Sequence, residues 1–300
     1  MGAMTIKLGV IGLSEGNGHP YSWGAIVNGY DPLAMQACGF PTIPRYLAEQ
    51  SWPEAQLQGA RVEWVWTQSP ELSRRVASAS CIPNVATHLE EMLPAVDALL
   101  LARDDAENHL QFAAPFLAAG KPVYIDKPVA LSLEGLEELY ALEQFPGQIF
   151  SCSALRYSGE LQLSVSDREM LGDIREIHAV TPKSWRKYSA HIIEPVLNML
   201  GASAEPAHII ADKRGEGAAL TVEWSNGTVT RLFALSDASS PIMFRVHGAG
   251  GYKELKFTDS FTAFRAALAD FVEGIETRTV RTPYAHLRRV VTLIEAGDAP

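Results

Sequence analysis

TIKLGVIG, residues 5–12, decides the fold. Thr5–Ile11 is a short apolar run halted by Gly12, the pattern of a strand buried on both faces and followed by a turn. The signature recurs downstream. Arg61–Thr67 (RVEWVWT), Val96–Ala102 (VDALLLA) and Pro122–Ile125 (PVYI) read as further strands. Helical patterns fall between them, at about Ser22–Tyr30, Pro70–Ser80 and Leu133–Phe145. Asp104-Asp105-Ala106-Glu107 resembles a capping box with acids first, opening a helix that runs to about Ala119 and stops at Gly120. Strand–helix alternation with short links predicts a parallel sheet covered by helices, an α/β domain over residues 1–148.

After Phe150 strands dominate: Ile149–Leu155, Ile174–Val180, Ala207–Ala211, Ala218–Trp224, Thr228–Leu235, Met243–His247 and Glu254–Phe257. Asn226-Gly227 between two of them is a hairpin signal. Helices are expected at Ala190–Leu200, Phe261–Ile275 and Ala285–Ala296. Residues 149–300 are therefore expected to form an α+β domain with an open, mainly antiparallel sheet. Asp31–Gly59 is too long for a minimal strand–helix link and reads either as a lid or interface element or as a surface helix with a turn.

Composition excludes several classes. The 300 residues suit two domains, and the net charge of −10 argues against a nucleic-acid partner. No apolar run reaches membrane-spanning length. Met1-Gly2-Ala3-Met4 reads as an added stretch ahead of a native start at Met4, without the features of a signal peptide. Cys38, Cys81 and Cys152 are odd in number and far apart, so they read as buried thiols in a reducing cytoplasm rather than disulfides or zinc ligands.

Gly12 stands where a dinucleotide fold places its phosphate turn. Only the first fingerprint glycine is kept; Ser14 and Asn17 take the other two positions, with Gly16 and Gly18 nearby. The acid that normally reads the adenosine ribose is replaced by Thr67 and Gln68. Arg74 and Arg75, one helical turn on, suit either a 2′-phosphate or plain helix surface, which leaves NAD and NADP both open.

Lys127 follows a strand directly, in Asp126-Lys127-Pro128. Ligands in such folds lie beyond the carboxyl ends of the strands, and a partly desolvated lysine there can hold a substrate hydroxyl or relay its proton. His191 lies near the start of a helix, where the dipole and nearby Arg186 and Lys187 favour the neutral ring that a hydroxyl-deprotonating base requires. The plainer readings are a helix-entry lysine and a capping histidine. Asp104, Asp105, Glu107 and His109 are dense enough to suggest a metal, but capping explains the acids more simply, and no metal is expected.

Gly12, Val96–Ala102, Asn108-His109, Gly120-Lys121-Pro122-Val123, Asp126-Lys127-Pro128 and Ser189–Glu194 together resemble the Gfo/Idh/MocA family, in order and spacing across most of the chain. The resemblance implies a Rossmann-type N-terminal domain, a C-terminal sheet that often forms oligomer interfaces, and hydride transfer between NAD or NADP and a carbinol of a sugar-like substrate. It places catalysis on Lys127 and His191. Cofactor contacts fall on Gly12, Leu13, Ser14, Thr67, Gln68, Ala102, Arg103, Asp104, His109, Asp126 and Lys127. Arg156, Trp185, Lys187 and Tyr188 are assigned to substrate, with Lys187 suited to an anionic group. The departures are Asp126 where glutamate is usual, Lys187 where an aspartate often stands, and Arg103 in place of a small residue. They leave two alternatives: an epimerase or lyase that keeps its NAD bound, and a non-catalytic sensor on the same fold.

Overall fold

The computed structural model describes residues 5–299, so the Met1-Gly2-Ala3-Met4 start lies outside the described residues. The chain divides into two units. The first holds the residues up to Val129, Glu134–Ser151 and Phe264–Pro283; the second holds Ala130–Leu133, Cys152–Ala263 and the chain from Tyr284. The 148/149 boundary is corrected accordingly: residues 264–283, though late in the sequence, contribute Phe271 and Val272 to the buried set of the first unit.

In the first unit the elements run β1 (Ile6–Ile11), α1 (His19–Asn28), α2 (Pro32–Gln36), α3 (Thr42–Ala48), β2 (Ala60–Trp66), α4 (Pro70–Ala79), β3 (Asn84–Val85), β4 (Ala98–Leu101), α5 (His109–Ala118), β5 (Val123–Ile125), α6 (Leu133–Tyr140) and β6 (Ile149–Phe150). The strands form one six-stranded sheet in the order β3-β2-β1-β4-β5-β6. Every pairing is parallel. Ala98–Leu101 is buried at every position, as a strand covered on both faces must be. The expected strand from Ile149 is the last of this parallel sheet, not the first of the next. Its residues Ile149 and Phe150 pair with Val123 and Tyr124, and the chain then enters a 3-10 turn at Ala154. The long connection contains α2 and α3. Its Asp31 caps α2 by accepting from the Leu33 and Ala34 amides, each at 2.9 Å.

The second unit carries α7 (Val165–Leu171), β7 (Ile174–Thr181), α8 (Trp185–Tyr188), α9 (Ala190–Leu200), β8 (Pro206–Arg214), β9 (Gly217–Trp224), β10 (Val229–Ala234), β11 (Met243–Gly248) and β12 (Tyr252–Lys256). α10 (Ser260–Thr277) follows, its residues from Phe264 counted with the first unit, and α11 (Tyr284–Asp298) belongs to the second. The sheet order is β12-β11-β7-β10-β9-β8. It is antiparallel throughout except for the parallel β7–β10 pair. Asn226-Gly227 makes the β9–β10 hairpin, with Gly227 at φ 81° where a Cβ would be strained. Leu220, Val222, Leu232, Phe244 and Val246 alternate onto the face covered by α9 and α11. The opposite face carries ion pairs such as Arg231 with Glu176 at 2.5 Å.

The three cysteines are unpaired, and the expectation of three buried thiols is corrected at Cys81, which is exposed. Among the described residues no helix is long and apolar enough to cross a membrane.

Candidate active site

Register sets the site of the first unit. Ile11 pairs with Trp66 and with Leu101, and Leu101 with Ile125, so the chain leaves β2, β1, β4 and β5 at one level through Thr67, Gly12, Ala102 and Asp126. The sheet order reverses between β1 and β4, which is where such folds open a ligand crevice. Gly12 is required there: a Cβ on it would stand 2.2 Å from Pro20 Cγ. The glycine lets α1 start directly over the strand end.

The loop after β1 is tied down by the loops beside it. Gln68 bonds both ways to Leu13, accepting from its amide at 3.0 Å and donating to its carbonyl at 2.8 Å. Arg103 donates to the same carbonyl at 3.1 Å, pairs with Asp105 through two nitrogens, and lies 4.7 Å from the Phe112 ring centroid. Ser14 donates its hydroxyl to Asp104 at 2.6 Å and accepts from the Asp104 amide at 3.0 Å. The other Asp104 oxygen is 3.9 Å from Lys127 Nζ, and both side chains are buried. Burial would raise the Asp105 carboxyl, but hydrogen bonds from Arg103 and Asn108 and the Arg103 charge hold it below the usual range.

Several expected roles change. Asp104 and Asp105 do not cap a helix: the 3-10 turn Ala106–Asn108 has no side-chain cap bond, and the acids hold Ser14 and Arg103 instead. Thr67 spends its hydroxyl on the Ser69 carbonyl and on Ser73, at 2.8 and 2.9 Å, which fixes the entry to α4. His109 is fully buried, with ring nitrogens against the Arg103 and Val129 carbonyls at 2.8 and 3.1 Å, so it braces the loops from behind. Arg74 and Arg75 are surface residues beside Glu71, at 3.8 and 3.0 Å.

Two residues of this cluster, Asn17 and His19, were not assigned to the site from sequence. Asp126 Oδ2 accepts from Asn17 Nδ2 at 2.8 Å and faces His19 Nδ1 at 2.5 Å, while Asp126 Oδ1 accepts from the Lys127 amide at 2.8 Å. The His19 ring is stacked on Trp23 and meets Phe264 edge-on, each at 5.0 Å. The available signal was a polar Asn-Gly-His-Pro run inside a glycine-rich loop.

These residues suit a dinucleotide, with altered donors. Gly16 sits at φ 76° in open space, and its amide makes no hydrogen bond among the described residues. Exposed backbone of this kind can approach a phosphate closely. Gly12–Gly18 would hold the phosphates, and Gln68 follows β2, the strand whose end reads the ribose in such folds.

The second unit gathers its own polar cluster. His191 Nδ1 is 2.8 Å from Ser153 Oγ, and its ring meets Tyr188 edge-on at 5.1 Å. Tyr188 OH accepts from Lys183 Nζ at 2.5 Å. One helical turn beyond His191, buried Glu194 accepts from the Ser153 amide and stands 3.8 Å from Arg156 and 3.4 Å from His286. Ser153, Lys183, Glu194 and His286 were not assigned from sequence; the histidine–glutamate spacing of three on one helix was the usable signal. Lys187 is half-buried on α8. Trp185 is corrected from substrate contact to core: it is 1% exposed, and its indole N–H donates to the Ile294 carbonyl at 2.8 Å.

Residues 44–153 match the oxidoreductase family with an NAD-binding Rossmann fold, Gfo/Idh/MocA. No curated protein matches the chain. Among solved structures it is similar to myo-inositol 2-dehydrogenase from Lactobacillus plantarum, at 13% identity and TM-score 0.74, covering 97% of this chain and 96% of that one. It is similar also to myo-inositol dehydrogenase from Lactobacillus casei in complex with NAD(H) and myo-inositol, at 16% identity and TM-score 0.73, covering 98% and 94%. UDP-N-acetylglucosamine 3-dehydrogenase from Acidithiobacillus ferrooxidans gives 17% identity and TM-score 0.68 over 97% and 96%. At these identities the solved structures establish the fold.

Proposed function

We propose, from the premise that this chain is a Gfo/Idh/MocA-family oxidoreductase, that it is an NAD(P)-dependent dehydrogenase or reductase of a sugar-like hydroxyl or keto compound. The observation that carries this reading is Lys127: a buried ammonium 3.9 Å from Asp104, at the carboxyl end of β5 beside the dinucleotide crevice. Bound nicotinamide supplies the hydride acceptor or donor. Lys127 holds and polarises the reacting oxygen, and Asp104 balances its charge. His191, positioned by Ser153, is assigned the proton transfer. Lys187, Tyr188 and Arg156 belong to substrate recognition in the proposal, with Lys187 suited to an anionic group. The inositol and nucleotide-sugar dehydrogenases among its structural neighbours support the substrate class. Assembly into a homo-oligomer and a cytoplasmic setting complete the reading, the second supported by three unpaired cysteines.

The test is Lys127→Ala, with NADH and NADPH affinity followed by calorimetry and turnover by nicotinamide absorbance. Turnover is expected to fall by about 10²-fold or more while cofactor affinity stays within about threefold. Full activity in the variant refutes the assignment. Turnover without net cofactor consumption favours the epimerase or lyase reading instead.

A further inference from the structure

A dinucleotide crevice normally offers a pyrophosphate the free amides at the start of its first helix. Here that set is spent. The His19 amide donates to Asn17 Oδ1 at 2.7 Å, Pro20 has no N–H, and the Tyr21 and Ser22 amides both donate to the Gly18 carbonyl at 3.1 Å. What stands at the first position of the helix instead is an imidazole whose attitude is fixed on three sides. Asp126 takes Nδ1 at 2.5 Å, Trp23 stacks on one face at 5.0 Å, and Phe264 meets the ring edge-on at 5.0 Å. Asp126 itself is 1% exposed and anchored by Asn17 and the Lys127 amide. Nε2 has no hydrogen-bond partner among the described residues, and the side chain keeps 17% of its surface open.

The geometry points to His19 as a phosphate-binding residue beside this loop, its Nε2–H replacing the backbone donors that the helix has lost. The inference rests on the dinucleotide reading above and adds the group that recognises the diphosphate. Asp126 is the charged side chain facing the ring; the surfaces contributed by Trp23 and Phe264 carry no charge. An incoming diphosphate adds negative charge at Nε2, so binding draws a proton from solvent onto the ring. The hydrogen bond that forms is charge-assisted at both ends.

The experiment measures NADH and ADP-ribose binding by calorimetry to the full chain and to His19→Gln, from about pH 6 to about pH 9. The unmodified protein is expected to bind both ligands more weakly as pH rises, by roughly tenfold. His19→Gln is expected to bind both roughly tenfold to a hundredfold more weakly at the acid end, with the pH dependence flattened. Equal affinity of variant and parent overturns the inference, as does a flat pH profile of the unmodified protein, which decides the matter even if the variant fails to fold. If the unmodified protein binds neither ligand at any pH, the dinucleotide reading falls and takes this inference with it. Binding by the parent with no role for His19 leaves that reading standing alone.

Discussion

Ser14 and Asp104 exchange two hydrogen bonds, hydroxyl to carboxylate at 2.6 Å and amide to hydroxyl at 3.0 Å, so the loop after β1 is clamped to the loop after β4. The same carboxylate faces the buried Lys127 ammonium. Asp104→Asn keeps the shape and removes the charge. It is expected to cost about 2 kcal/mol, since the contacts to Ser14 and Lys127 lose their charge assistance, and to lower Tm by about 4–8 °C. Turnover is expected to fall by about tenfold or more because the lysine loses its counter-charge. Denaturant melts and steady-state kinetics check both; a variant with unchanged stability would show that the Asp104 charge contributes nothing to it.

Asp105 gives a pH-dependent prediction. Its folded carboxyl is held below the usual range, so its contribution is complete above the unfolded value, about 3.9, and is lost as pH falls through the folded one. Asp105→Asn removes that dependence. Its Tm at neutral pH is expected to lie a few degrees below the parent's, and the two curves should converge in acid. Thermal melts from about pH 3 to about pH 7 test this. Parallel curves would mean that the Arg103–Asp105 pair contributes no net stability.

What the sequence made legible was periodicity. The apolar runs of β1, β2, β4 and β5 and the alternation in β7, β9 and β10 follow directly from burial on two faces or one. Position along the chain was less informative than position in space. Ile149–Phe150 extends the parallel sheet because its backbone groups pair with β5, and nothing in its composition distinguishes that from an antiparallel partner. The site was half legible. Lys127 and His191 stood out by residue type and setting, but Thr67, His109 and Trp185 looked available until their hydrogen-bonding groups were found to be spent on neighbouring carbonyls. Asn17 and His19 went unassigned because their partner, Asp126, lies 109 and 107 residues away.

Ser153 is the positioning group for His191 in the second unit. Its hydroxyl meets Nδ1 at 2.8 Å, and its amide donates to Glu194. Ser153→Ala keeps the amide and removes the hydroxyl. The expected result is a fall in kcat of roughly tenfold, with KM little changed and a displaced limb in the pH profile of kcat/KM. Ser153→Thr, which restores an oxygen, should recover most of the rate. A rate loss without a change in the pH profile would assign Ser153 to local packing only.

Trp185 separates a core role from a substrate role. Its indole is buried against α11, where a Cβ on Gly297 would stand 2.2 Å from Trp185 Cε2, and its N–H is the donor that satisfies the Ile294 carbonyl. A residue so enclosed acts through stability. Trp185→Phe empties part of the site and strands that carbonyl, and should cost about 2–4 kcal/mol in denaturant unfolding. At temperatures where the variant stays folded, its KM for substrate should match the parent's within about twofold. A large rise in KM with unchanged stability would return Trp185 to the substrate pocket and overturn the core assignment.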